Sequence, residues 1–146
     1  MNVQQLSVFL ENKPGRLQKV LEVLAEKQIN ILTLNIAEIK DFGIVRMIVN
    51  RPEDAHLALR EEHITCSVND VLGIGVEDTP GSLLKLINTF TEKNLNIEYM
   101  YAFTEKRGSK AVMILRFEDI EGAKTALTAE GYDIMKRIDI IGEQTK

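Results

Sequence analysis

The sequence predicts an α+β fold made of one strand–helix–strand–strand–helix–strand unit written twice. Three observations carry that prediction. The segment Lys13-Pro14-Gly15-Arg16-Leu17 matches Thr79-Pro80-Gly81-Ser82-Leu83 at an offset of 66 residues. The same offset carries Val20, Leu21 and Leu24 onto Leu86, Ile87 and Phe90, and Asn30-Ile31 onto Asn96-Ile97. Within each copy the apolar residues switch between strand and helix periods, with turn-forming residues at the switches.

In the first copy, Leu6 to Leu10 is a short apolar strand. Leu17, Val20, Leu21 and Leu24 recur at helical spacing and define one buried face, with Pro14 and Gly15 just before the helix and Asn12 as a candidate cap. A strand from Ile31 to Ile39 and another from Ile44 to Val49 flank the turn Lys40-Asp41-Phe42-Gly43, which predicts a hairpin. Pro52-Glu53-Asp54-Ala55 opens a second helix, its acids suited to the positive helix end. Ile64–Val68 and Val71–Val76 are strands separated only by Asn69-Asp70, with no Gly/Ser linker.

The second copy repeats the plan. Its helix starts at Gly81, its hairpin turns across Arg107-Gly108-Ser109, a helix starts near Asp119, and a last strand runs from Tyr132 to Ile140. Strand–helix–strand pairs of this order fold as ferredoxin-like βαββαβ units. Each is an antiparallel four-stranded sheet with two helices on one face, and the expected domains are residues 1–70 and 71–146.

Composition bounds the function classes. Across 146 residues, 45% are hydrophobic, enough for packed cores. No apolar run approaches the roughly eighteen residues of a membrane span, and the start Met1-Asn2-Val3-Gln4-Gln5 lacks a signal-peptide pattern. A cytoplasmic protein without membrane contact is the expectation. A net charge of −4, with no basic run longer than Lys106-Arg107, speaks against nucleic acid as a partner.

The turn before the first helix is the candidate site. At a helix start four backbone N–H groups lack an intrahelical partner, and the dipole favours an anion there. Gly15 and Gly81 carry no Cβ, so a ligand can approach the main chain closely. A carboxylate suits this end, and Asn12 or Asp78 could accept from an ammonium group. Asp78 is charged where Asn12 is neutral, which predicts the stronger hold in the second turn.

Glu11-Asn12-Lys13-Pro14-Gly15 and Glu77-Asp78-Thr79-Pro80-Gly81 resemble the Asp-x-Pro-Gly turn of ACT domains. Asn30-Ile31 and Asn96-Ile97 resemble the pair that opens the second strand in that family, and the likeness covers nearly the whole chain. The first turn departs from the pattern in having Asn12. The resemblance implies regulation by a free amino acid bound between domains, with no catalytic domain and no cofactor. It assigns to the ligand Asn12, Lys13, Pro14, Gly15, Arg16, Leu17, Asn30 and Ile31 in the first copy. In the second it assigns Asp78, Thr79, Pro80, Gly81, Ser82, Leu83, Asn96 and Ile97. It further implies a separate enzyme of amino-acid metabolism as the regulated partner. A ligand-free interaction module is the alternative.

The sheet strands add a partner expectation. Ile97, Tyr99, Tyr101 and Phe103 alternate onto one face of a strand reaching Thr104, against Met100 and Ala102. In the first copy Leu32, Leu34 and Ile36 oppose Ile31, Thr33 and Ala37. Strands apolar on both faces need cover on both, so the sister copy or a homodimer is expected. RNA-binding folds stack bases on such aromatics, but within a basic surface that this chain lacks.

Other chemistry is sparse. His56 and His63 are seven apart, not at the spacing that converges on a metal. Cys66 has no partner cysteine and reads as structural. An acylphosphatase reading finds only Arg16 as an echo of a phosphate-cradling arginine, with Ser82 in the second copy.

Overall fold

A computed structural model describes residues 2–103 and 106–142. It divides into two compact units, built chiefly of residues 4–69 and 70–140.

The first unit contains β1 (Val3–Glu11), α1 (Arg16–Glu26), β2 (Ile31–Ile39), β3 (Phe42–Val49), α2 (Pro52–Glu61) and the opening of β4 (Cys66–Glu77). β1 pairs antiparallel with β3, Leu6 opposite Met47 and Glu11 opposite Phe42. β3 pairs with β2, Ile36 opposite Val45. On the other side of β1 the Phe9 amide donates to the Thr65 carbonyl at 3.0 Å, giving the order β2-β3-β1-β4.

The second unit contains the rest of β4, α3 (Ser82–Glu92), β5 (Ile97–Ala102), β6 (Lys110–Phe117), α4 (Ile120–Ala129), β7 (Ile134–Met135) and α5 (Arg137–Ile141). β4 pairs with β6 and β7, and β6 with β5. Each unit therefore has the ferredoxin-like order, fourth strand beside first, then third, then second.

Both helices of a unit share one core with the same sheet face. In the first unit Val20, Val23 and Leu24 of α1 and Ala55, Ala58 and Leu59 of α2 pack with Leu6, Val8, Val45 and Met47. In the second, Leu86 and Phe90 of α3 and Ala123 and Leu127 of α4 pack with Leu72, Ile74, Leu115 and Phe117. Phe90 and Phe117 meet as a tilted aromatic pair, centroids 4.7 Å apart.

Several local expectations are corrected. Asn12 does not cap α1. The cap position is Gly15, at φ 89°, and no side chain bonds to the first turn. The first hairpin turn is shorter than expected: Lys40, at φ 52°, and Asp41 make it, while Phe42 and Gly43 lie in β3. Asn69-Asp70 does not interrupt β4, and the side chains of this pair also bond to residues far away in sequence. Ser7 Oγ donates to Asn69 Oδ1 at 2.8 Å and Asn2 Nδ2 to Asp70 Oδ2 at 3.2 Å.

The last strand is only Ile134–Met135, and the segment from Arg137 is helical. Asp139 reaches back to accept from the Lys136 amide at 2.7 Å, a side-chain bond that favours a helix start over a strand.

The alternation in the second strand of each unit is also corrected. A register shift falls between Ile31 and Thr33 in β2 and between Ile97 and Tyr99 in β5. One extra residue reverses the facing of every later position in the strand. Ile31 thus joins Leu34 and Ile36 on the helix-covered face, and Ile97 joins Met100 rather than the tyrosines. Thr104 lies outside the described residues. On the opposite face, Gln5, Ser7, Thr33, Ile48, Tyr101 and Phe103 are all buried within the chain. Burial of Tyr101 and Phe103 fits packing and keeps these two rings from serving as a stacking platform for bases.

Candidate functional site

The β1–α1 and β4–α3 turns have the same backbone. Gly15 and Gly81 sit at φ 89° and 86°, in the left-handed region that L side chains avoid. Neither α1 nor α3 receives a side-chain cap, and the first amide of each helix turns back on its own loop, Arg16 N–H donating to the Lys13 carbonyl at 3.3 Å and Ser82 N–H to the Thr79 carbonyl at 3.2 Å. By contrast, Asp119 caps α4 by accepting from the Gly122 amide at 3.0 Å.

Charges around the first turn are already organised. Lys13 Nζ lies 3.0 Å and Arg16 Nη2 3.8 Å from the Glu11 carboxylate. The hydrogen bond from Lys13, then the charges of Lys13 and Arg16, hold Glu11 below the ordinary glutamate range. In the second turn Lys106 Nζ pairs with Asp78, Thr79 Oγ1 meets Ser82 Oγ at 2.6 Å, and Ser109 Oγ donates to Glu77 at 3.3 Å. Asp78 is therefore engaged, and an incoming ammonium would have to displace Lys106. That removes the basis for expecting the stronger hold at this turn.

A cleft opens beside each turn, between the end of the first strand, the helix start and the loop after the second helix. The first has a volume of about 500 Å³ and the second about 250 Å³. Their lining positions correspond one for one. Glu11 faces Phe42 across the sheet as Glu77 faces Lys110, so positions before the hairpin differ by 66 and those after it by 68. Phe9, Arg16, Lys19, Phe42, Glu62 and His63 in the first cleft answer to Gly75, Ser82, Lys85, Lys110, Glu130 and Gly131 in the second. His63 and Gly131 share a left-handed backbone, at φ 59° and 80°.

Of the residues assigned from the sequence, only Arg16 and Ser82 line these clefts. Asn12, Lys13, Pro14, Gly15, Asp78, Thr79, Pro80 and Gly81 form the exposed rim beside them. Leu17 packs against the first core, while Leu83 is exposed on α3. Asn30 and Asn96 are not brought to the turns. The 11-residue helices α1 and α3, each about 16 Å long, separate them from the rim of their own unit. The Asn30 amide instead donates to Asn50 Oδ1 at 2.9 Å, and Ile31 and Ile97 pack into the two cores.

Sequence reasoning missed Phe9, Lys19, Phe42, Glu62 and His63. Their signal was the pairwise comparison of the copies, in which exposed phenylalanines answer to glycine and lysine. Cys66 lies at the foot of α2, where burial pushes its thiol up and leaves it protonated at neutral pH. Among the described residues no three His, Cys, Asp or Glu side chains come together as a metal site. Nor, among them, is any helix long and apolar enough to cross a membrane.

Comparisons with known proteins agree with the duplicated fold. A family model described as an ACT domain pair matches residues 1–143. The crystal structure of protein BT0572 from Bacteroides thetaiotaomicron superposes with a TM-score of 0.89 at 38% identity, over 97% of this chain and 96% of that one. The ligand-free regulatory subunit of aspartate kinase from Thermus thermophilus shares the fold at 20% identity and a TM-score of 0.61, over 88% and 91%. The corresponding subunit from Thermus flavus does so at 16% and 0.61, over 88% and 92%. No curated protein matches the sequence. With nearly its full length accounted for by one family model and one like-sized relative, the chain belongs to the ACT domain pair family.

Proposed function

We propose that this ACT domain pair is a non-catalytic regulatory protein that senses a free amino acid at the clefts beside its helix-start turns. The observation that carries the reading is the paired cleft at an uncapped helix start, edged by side chains of both charges. Arg16 and Lys19 can meet a carboxylate, and Glu62 can meet an ammonium. The likeness to regulatory subunits of aspartate kinase supports a role in controlling a separate enzyme of amino-acid metabolism. A cytoplasmic setting agrees with a lone reduced Cys66.

Homodimerisation belongs to the proposal. Leu34 and Ile36 on the edge strand β2 are 36% and 53% exposed. A second chain would bury these apolar groups. The same patch favours the second reading, a ligand-free interaction module.

A thermal-melt screen of the purified chain against the twenty amino acids separates the readings. A native-state ligand at a hundredfold excess over its dissociation constant adds about 2.7 kcal/mol. For a chain of this size that raises the melting temperature by roughly 5–11 °C. A rise with one or two amino acids supports the sensor. A flat response across all twenty overturns it and favours the interaction module.

A further inference from the structure

We infer that the two clefts have diverged, so that the first alone binds an α-amino acid, and one with a large apolar side chain. The inference rests on the sensing role proposed above and adds the ligand class and the place. The first cleft has about twice the volume of the second, 500 against 250 Å³. The two clefts also carry different residues at equivalent positions.

Phe9 and Phe42 present two exposed rings to the first cleft, 47% and 61% accessible. Exposed aromatic surface of this kind, inside a concavity, gains most from an apolar group laid against it. Gly75 and Lys110 replace both rings in the second cleft. A Cβ built on Gly75 would stand 3.1 Å from Lys110 Cδ, so the lysine stem already covers the floor that a ligand side chain would need. Lys110 also stands opposite Glu77 across the sheet, bringing a cation to the acid of that turn.

The charged groups differ in the same sense. In the first cleft Arg16, with Nη2 3.8 Å from Glu11, and Lys19 stand at the helix start, and Lys19 Nζ is 3.7 Å from Glu62. A zwitterion can divide this loose pair, its carboxylate toward Arg16 and Lys19 and its ammonium toward Glu62. The second cleft keeps Lys85 and Glu130 but has Ser82 in place of the guanidinium, and so lacks the fork that grips a carboxylate at two points.

The test is calorimetric titration of the full chain with leucine, phenylalanine, threonine, lysine and aspartate, repeated on two variants. Phe9→Gly with Phe42→Lys gives the first cleft the residues of the second. Arg16→Ser, at an exposed position, does the same for the anion grip and leaves the core untouched. The expected result is binding of leucine or phenylalanine at one site per chain, weakened about tenfold or more in each variant. If the double variant does not fold, Arg16→Ser and Phe42→Lys alone carry the test. Tightest binding of a polar or charged amino acid, two equal sites per chain, or apolar binding that neither variant weakens overturns the inference and leaves amino-acid sensing standing. No binding of any of the five, with a flat melt response across all twenty amino acids, overturns both.

Discussion

Replacing Gly15 by alanine isolates the cost of the turn geometry. The residue sits at φ 89°, and a Cβ added there meets nothing within 4 Å. Steric contact with neighbours therefore contributes nothing, and the effect is conformational. A left-handed L residue costs roughly 1–2 kcal/mol, while alanine restricts the unfolded chain and returns about 0.4–1 kcal/mol. The net loss is about 1 kcal/mol, which lowers the melting temperature by roughly 2–4 °C for a chain of this length. Gly43 supplies the control. It lies in β3 outside the left-handed region, and its added Cβ would find its nearest neighbour at an ordinary 3.7 Å. Gly43→Ala should therefore stabilise by about 0.5 kcal/mol, because glycine in a strand loses more entropy on folding than alanine does. Reversible urea unfolding of the three proteins measures both signs. An unchanged or raised midpoint for Gly15→Ala, or equal losses at both positions, refutes the reasoning.

Two further predictions concern helix starts and the charges beside them. Asp119→Ala should cost about 1 kcal/mol by removing a cap, whereas Asn12→Ala should stay within roughly 0.5 kcal/mol, since Asn12 caps nothing. Comparable losses would show that Asn12 holds the turn after all. The Glu11 carboxyl should titrate below the ordinary glutamate value in a carbon-detected NMR titration, and move back up in Lys13→Ala. Because its folded-state value is depressed, its contribution to stability is present above the unfolded value and is lost as pH falls through the folded one. A midpoint at or above the ordinary value contradicts the Lys13 contact.

The duplicated fold was legible because its signals are local and periodic. Helix faces at 3.6 spacing, a Pro-Gly turn and a hairpin turn across Arg107-Gly108-Ser109 each report their own structure. The matched bulges after Ile31 and Ile97 were not legible, because one inserted residue reverses an alternation that apolar side chains on both faces do not fix. The short β7 followed by α5 was hidden for a related reason: the apolar spacing from Tyr132 to Ile140 suits either state, and a single bond from Asp139 decides it.

The site was legible in part. The turn residues were found, since Pro and Gly act through the backbone. The cleft walls were not, since Phe9, Phe42 and His63 reach it from a strand end, a hairpin and a post-helix loop far apart in sequence. Asn30 and Asn96 stood out by their repetition, yet that repetition reflects strand-opening geometry at the opposite end of each unit.

The central claim, amino-acid sensing beside the helix-start turns, is tested most directly by nitrogen–proton NMR spectra of the chain with pooled amino acids added. Binding should move the amides of Gly15 to Lys19 and of His63 to Thr65, leaving those of Asn30 and Asn50 in place. Unmoved spectra, or shifts confined to residues away from both turns, would contradict it.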